Sequence, residues 1–389
     1  MMSLLGAILD QGFRDPASCL IEVGSGLEDI GVLAPLVTSV EITTSRAEAA
    51  TGSIVIEDRR LEDGQWMAAD SGLFTRWAPI KVSADFQSHV EEISRGYITQ
   101  ITPNYPNSGG QSTLEIQIQD ESSALDREQM RTVWGEDVPI SDLDILTALI
   151  EPIGLSPDPA STQGQSSRAL TQDATPIQFL RERATANGYE LIFSEGAVYF
   201  GPKRLSDEAQ APIMIYAGRD TNCLNFTLKD ESQHPDEVRF DQAPQEEGAE
   251  TVTETLVPDE EPLGDTPAAS EGADLGAPSV WRVNREGDET EEEIRARAQA
   301  LVNEHAFRIR GTGEIDGSLY GHVLKVGRPV TVDGAGGRYG GTYYVDKNVH
   351  RFTSEGYRQN FEIIRNATGD AAGAGGPLSA ATSALSSLF

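Results

Sequence analysis

Five histidines, at positions 89, 234, 305, 322 and 350, are the residues best suited to metal or proton-transfer chemistry. None stands in HxH or HExxH spacing, the patterns that set two imidazoles on one side of a strand or helix, so all five read as structural or surface histidines. Carboxylates cluster at Asp58, Glu62 and Asp63 and again at Asp142 and Asp144, the kind of pairing a glycosidase uses for an acid and a base or nucleophile. In a chain with 62 acidic residues such neighbours arise by chance, and nothing in the sequence sets them in a cleft. A DxDxDG calcium loop, a GxSxG elbow and a Cys–His pattern are all absent. The stretch GAGGRYGG (334–341) invites a phosphate-loop reading, but it lacks the following Lys-Ser/Thr and lies between two strand-like runs instead of opening a helix. Its glycines read as hairpin corners. Catalytic, cofactor-binding and metal residues are therefore none, and the chain is read as not an enzyme.

Composition narrows the rest. At 389 residues with 38% hydrophobic content, the chain can hold two or three domains with real cores. No run approaches the ~18 consecutive apolar residues of a spanning helix. The start, MMSLLGAILDQGF, lacks the basic leader of a signal peptide, and LLGAIL reads as a terminal helix docked on its own domain. Cys19 and Cys223 lie far apart and read as core thiols. A formal charge of −32 argues against sequence-independent DNA binding, which needs clustered cations against phosphate. With Lys only at 81, 203, 229, 325 and 347, the surface is acid-rich and lysine-poor, which suits high salt, although a high genomic GC content would also explain Arg over Lys.

These residues must be positioned by a mainly β framework. VTSVEITTS (37–45), GSIVIED (52–58), PIKVSADF (79–86), EISRGYITQITP (92–103) and STLEIQIQD (112–120) alternate apolar and polar positions, with NYPNSGG as the last turn, and predict a barrel or sandwich over 1–122. From 123 to 225 the pattern predicts an α+β domain: a helix over SDLDILTALIEPIG capped by Ser141, a second over TPIQFLRERATANG with Thr175 as cap, Pro176 first and Gly188 last, then the hairpin YELIFSEGAVYFGP. Residues 241–279 carry eleven acids and no Lys or Arg, and predict a flexible acidic insertion. A capping box of Thr290 and Glu293 starts a helix with Ile294, Ala298, Leu301, Val302 and His305 on one face. The stretch 311–365 then alternates between glycine clusters, with Tyr343, Val345, Lys347 and Val349 set against Tyr344, Asp346, Asn348 and His350. It predicts a second small barrel, too small for any pocket, within a domain over 226–368, and a flexible tail over 369–389. No repeat of 20 to 50 residues is present, although the two β-rich segments fit a divergent duplication.

Three stretches in this order, PIKVSADF with RGYITQI and LEIQIQDESSALDRE, then TPIQFLRERATANGYELIFSEGAVYFGP, then LKVGRPVTVDGAGGRYGGTYYVDKNVHRFTSEGYRQNFEIIR, resemble the phage late control D family, the baseplate hub proteins of contractile tails. They are similar also to the hub portion of type VI secretion spike proteins and of extracellular contractile injection systems. The resemblance covers about 80–370. It implies two tube-like β-barrel domains packed with a smaller α+β domain. It also implies a homotrimer whose six barrels form a pseudo-hexameric ring between a hexameric tail tube and a trimeric spike. The partners it implies are the tail tube protein, a spike protein and other baseplate proteins, without sequence-specific nucleic-acid binding or stable membrane insertion. Assembly would be cytoplasmic and the final location a virion tail or injection-system particle. Nothing after Arg365 resembles an OB-fold or a β-helix needle, so the spike is expected to be a separate polypeptide. The rival expectations are a hub-associated peptidoglycan hydrolase using the acid clusters, and a β-rich adhesin or binding module.

Overall fold

The computed structural model describes residues 16–107, 111–167, 169–242, 252–271, 276–287 and 290–369, without the side chain of Arg219. The segment LLGAIL, the tip of NYPNSGG, residues 243–251 and 272–275 of the acidic stretch and the tail after Gly369 lie outside the described residues.

Period-two alternation builds the first unit. Strands β1 (Ser18–Val23), β2 (Val37–Ser45), β3 (Thr51–Glu57), β4 (Pro79–Asp85), β5 (Val90–Asn104) and β6 (Thr113–Asp120) pair antiparallel in the order β2-β3-β6-β5-β4-β1. In β6 each second residue, Leu114, Ile116, Ile118 and Asp120, is buried. Leu114 and Ile116 lie opposite Ile56 and Ile54 of β3. Each such side chain contributes about 1.5–3 kcal/mol by leaving water. The expected strands all form, and β1 joins them along the edge of β4.

The middle core is helical on one side and a hairpin on the other. Helix α1 (Asp142–Ile150) starts where Ser141 Oγ accepts the Asp144 N–H at 3.1 Å. Helix α2 (Pro176–Asn187) ends on Gly188 in the left-handed region, φ 65°. Thr175 precedes it without capping, and its hydroxyl donates to Asp126 instead, at 2.8 Å. Ile145, Leu146, Ile177, Leu180 and Phe200 close the core against the hairpin of β7 (Glu190–Ser194) and β8 (Ala197–Gly201).

The next strand, β9 (Gln210–Met214), already belongs to the second unit, followed by β10 (Cys223–Asp230). The chain then leaves the sheet. β11 (Glu237–Asp241), β12 (Thr253–Leu256) and β13 (Val280–Arg282) form a small sheet under α3 (Glu291–Ala306), whose capping box of Thr290 and Glu293 is present. Val238, Phe240 and Leu256 pack on Ile294, Ala298 and Val302. The acidic stretch is thus structured where it is described. Leu256, Leu263 and Ala268 are buried, Thr266–Pro267 pairs with Ala367–Thr368, and the Arg365 guanidinium donates to the Leu263 carbonyl at 2.9 and 3.1 Å. Average polarity hid three well-placed apolar residues.

Returning to the sheet, β14 (Ile309–Asp316), β15 (Pro329–Asp333), β16 (Gly341–Thr353) and β17 (Gly356–Arg365) complete the order β9-β15-β16-β17-β14-β10. The two units form one 13-stranded sheet, which also takes in the short strand Glu28–Asp29. The link is β16, which offers the same edge to two partners: Gly341–Tyr344 pairs with β15 and Lys347–Phe352 with β2. Between them Asp346 is an extra residue, and the register against β17 shifts there. A bulge flips the parity of everything beyond it. The simple alternation expected for this strand therefore fails: Tyr343 and Val345 face in before the bulge, but Asn348, His350 and Phe352 after it, in place of Lys347 and Val349. Phe352 stacks on Tyr357 at 4.2 Å, and both sit in the core of the first unit, so the tip of this hairpin fills its neighbour.

Candidate functional site

The nominated carboxylates are engaged in local structure. Asp58 accepts the Ala68 and Ala69 N–H groups at 2.7 and 3.2 Å, and Asp63 accepts that of Gln65 at 3.0 Å. Glu62 is exposed. Asp142, 1% exposed, takes Arg183 Nε at 2.7 Å, Asn187 Nδ2 at 2.7 Å and the Gln165 N–H at 2.9 Å. Asp144 accepts the Ser141 hydroxyl at 2.6 Å at the start of α1. None of these five residues lines the cleft of about 630 Å³ beside Arg46.

Of the histidines, His350 is buried with Nδ1 2.8 Å from the Tyr357 hydroxyl, and burial pushes its pKa down to about 3. His234 and His305 meet at 3.1 Å beside Trp281. His89 and His322 converge on Glu91 at the seam of the two units. Both thiols are raised by burial, Cys19 to about 12 and Cys223 to about 11. In GAGGRYGG the corner is a helical turn, Gly336–Tyr339, and not a plain hairpin. Gly334 and Gly336 carry φ of +92° and +80°, and a Cβ at Gly334 would lie 1.7 Å from the Ile215 carbonyl oxygen. Gly337 has open space and no positive φ.

What the fold brings together is a charged joint. Arg46, just past β2, sends Nη1 to Glu190 of β7 at 3.2 Å, Nη2 to Glu304 of α3 at 2.6 Å and Nε to Asp346 of the β16 bulge at 3.0 Å. Lys203 joins the cluster, 3.0 Å from Glu260 and 3.1 Å from Glu304. Tyr344 donates its hydroxyl to Glu190 at 2.7 Å and accepts the Arg204 N–H at 3.1 Å. Glu304 keeps 45% of its side chain exposed; the partial loss of water there would raise its pKa, but Arg46 and Lys203 overcome this and hold the carboxyl at about 2. Burial raises Glu190 despite Arg46. One guanidinium fork thus fixes four elements, a geometry that lysine cannot reproduce. Sequence showed Arg46 only as a basic residue after a strand.

Beside the joint lies a cleft of about 630 Å³ whose walls include Arg95, Glu121, Arg181, Glu195 and Lys325. Two of its cations are paired, Arg95 with Glu92 of the same strand at 2.5 Å and Lys325 with Glu195 of the middle hairpin. Glu121 is pushed up to about 7, by burial first, with Arg95 opposing and Glu92 and Asp120 adding to the rise. The second unit ends on β10, which among the described residues pairs only with β14, and most of whose residues are exposed. Leu224 on that strand is 52% exposed and Tyr216 in the preceding turn 93%. An open edge with apolar side chains is the surface a neighbouring chain would cover.

Residues 32–354 match the family model described as Alg8 N-terminal domain. No curated protein matches the sequence. Among solved structures, the chain is similar to the 43 kDa tail protein of prophage MuSo2 from Shewanella oneidensis, at 13% identity and TM-score 0.67, over 90% of this chain and 99% of that one. It is similar to the tail protein from Neisseria meningitidis MC58 at 12% identity and TM-score 0.62, over 90% and 97%. A third similarity is to an E. coli component of the type VI secretion system that itself resembles T4 bacteriophage tail proteins, at 10% identity and TM-score 0.53, over 89% and 76%. The fold is that of phage tail proteins.

Proposed function

The chain belongs to the family described as the Alg8 N-terminal domain; from the fold that it shares with prophage tail proteins, we propose that it is the baseplate hub of a contractile tail or contractile injection system. It works by assembly and not by catalysis. Three copies form a ring to which each contributes two barrel-like units, so that six similar surfaces meet a hexameric tail tube while threefold closure suits a trimeric spike. The observation that carries this reading is the presence of two six-stranded units in one chain, locked side by side through β2 and β16. The open edge of β10 supports it, as does the likeness to a secretion-system component.

In this role the hub is assembled in the cytoplasm with tube, spike and other baseplate proteins and ends in the virion tail or injection particle. The charge of −32 suits a channel that passes nucleic acid or acidic cargo without holding it. Mass photometry and electron microscopy of the purified chain are expected to show trimers with a central opening. A chain that stays monomeric at high concentration, and also within assembled particles, overturns the reading.

A further inference from the structure

We propose that His89, Glu91 and His322 bind a zinc-class divalent cation that clips the first unit to the second. Glu91 lies on β5 with His89 just before it, whereas His322 comes from the loop between the helical turn Gly317–Tyr320 and β15, 231 residues after Glu91. Glu91 Oε1 is 2.7 Å from His322 Nδ1 and 3.2 Å from His89 Nε2, and the three donor atoms all lie within 4.8 Å of one another. A tetrahedral zinc ion about 2.0–2.1 Å from each donor needs donors roughly 3.3 Å apart. Small rotations of two half-exposed rings meet that requirement.

The surroundings resemble the supporting contacts of a metal site. His89 Nδ1 is 2.9 Å from Ser88 Oγ, which leaves Nε2 directed at Glu91, and the ring stacks on Phe86 at 5.0 Å. The second Glu91 oxygen accepts the Val323 N–H at 2.7 Å. Gln359 Nε2 donates to the His322 carbonyl at 2.8 Å, holding the loop. Ligands oriented in this way bind metal better than free ones. The side chains of His322 and His89 are 50% and 39% exposed, so an ion held there would be open to solvent, which can supply the fourth ligand. Two imidazoles and one carboxylate suit zinc, cobalt or nickel better than calcium or magnesium. Local spacing concealed the site because its third donor arrives from the other unit. It does not depend on the ring reading, since a monomer presents the same three residues.

The test uses the full chain, stripped with EDTA and titrated with ZnCl2 against a chromogenic chelator. One equivalent is expected to bind, and zinc is expected to raise the melting temperature reversibly. His89→Gln and His322→Gln should each weaken uptake at least about tenfold, while His234→Ala, at the other histidine pair, should leave it unchanged. Circular dichroism identifies variants that keep the parental fold, and Glu91→Gln, which retains an acceptor for Val323, provides a third. Absence of a tight equivalent in the parent overturns the proposal, as does uptake unchanged in the folded variants, which would leave these residues a hydrogen-bonded cluster only.

Discussion

Arg46 Nε donates to Asp346 Oδ1 at 3.0 Å, and the backbone N–H of Arg46 donates to the Asp346 carbonyl, also at 3.0 Å. The end of β2 is thereby fastened to the bulge at which β16 changes partners. The same side chain holds Glu190 and Glu304, so it fixes the middle hairpin against the β units together with the Tyr344–Glu190 and Lys325–Glu195 contacts.

Arg46→Ala should therefore leave buried Glu190 without its ion-pair partner, while Glu304 keeps Lys203 and Asp346 keeps Arg310. Stability is expected to fall by about 3–5 kcal/mol, read from the first transition in urea unfolding. Arg46→Lys should recover little of this, because an ammonium cannot serve three carboxylates in a planar fork. A parental unfolding curve for Arg46→Ala would refute the central place given to this joint.

Acid pH should act through groups of opposite sign, of which Glu121 and His350 are shifted far. Glu121 has a folded pKa raised to about 7 from 4.5, so the folded state binds more protons in that window and gains stability as pH falls. His350, depressed to about 3 from 6.5, does the reverse: the unfolded chain takes up the proton, and stability is lost as pH falls below 6.5. Glu121→Gln removes the gain and leaves the loss, so its urea midpoint should fall more steeply than the parent's between about 6.5 and 4.5. Superimposable profiles would show that Glu121 titrates normally. Below about 4.5 the depressed Glu304 adds its own loss, complete only near 2.

The glycine corner allows a sharper comparison. Gly334→Ala places a methyl on the Ile215 carbonyl at positive φ, and should cost more than the roughly 1–3 kcal/mol of backbone strain alone. Gly337→Ala, in open space without positive φ, should change stability by less than about 0.5 kcal/mol. Equal melting temperatures for the two variants would mean that this corner is misdescribed.

Leu224→Lys on the exposed edge of β10 is expected to leave the fold intact and to shift trimers toward monomers in mass photometry. Persistence of the trimer would move the subunit contact to another surface.

Asp142→Ala distinguishes structure from catalysis. It strands buried Arg183 and should cost about 3–5 kcal/mol, whereas the parent should release no soluble fragments from peptidoglycan. Turnover by the parent that disappears in a folded Asp142 or Asp144 variant would instead favour the hydrolase alternative.

The amino-acid sequence by itself determined the local elements, because their signals lie within a few residues: the alternation of Leu114, Ile116 and Ile118, the Ser141 and Thr290 caps and the Gly188 stop. It also contained the order of the β, α+β and β segments from which the tail-protein resemblance was legible. Only the tertiary structure decided which strands share a sheet, since backbone pairing between β2 and β16 carries no side-chain code. The bulge at Asp346 reversed an alternation that looked regular, and three apolar residues are buried in the described part of a stretch whose average composition pointed to disorder. The charged joint and the His89–Glu91–His322 cluster were illegible for one reason: Arg46 lies 300 residues from Asp346 and Glu91 lies 231 from His322, and only packing brings them together, while sequence spacing reports on neighbours alone.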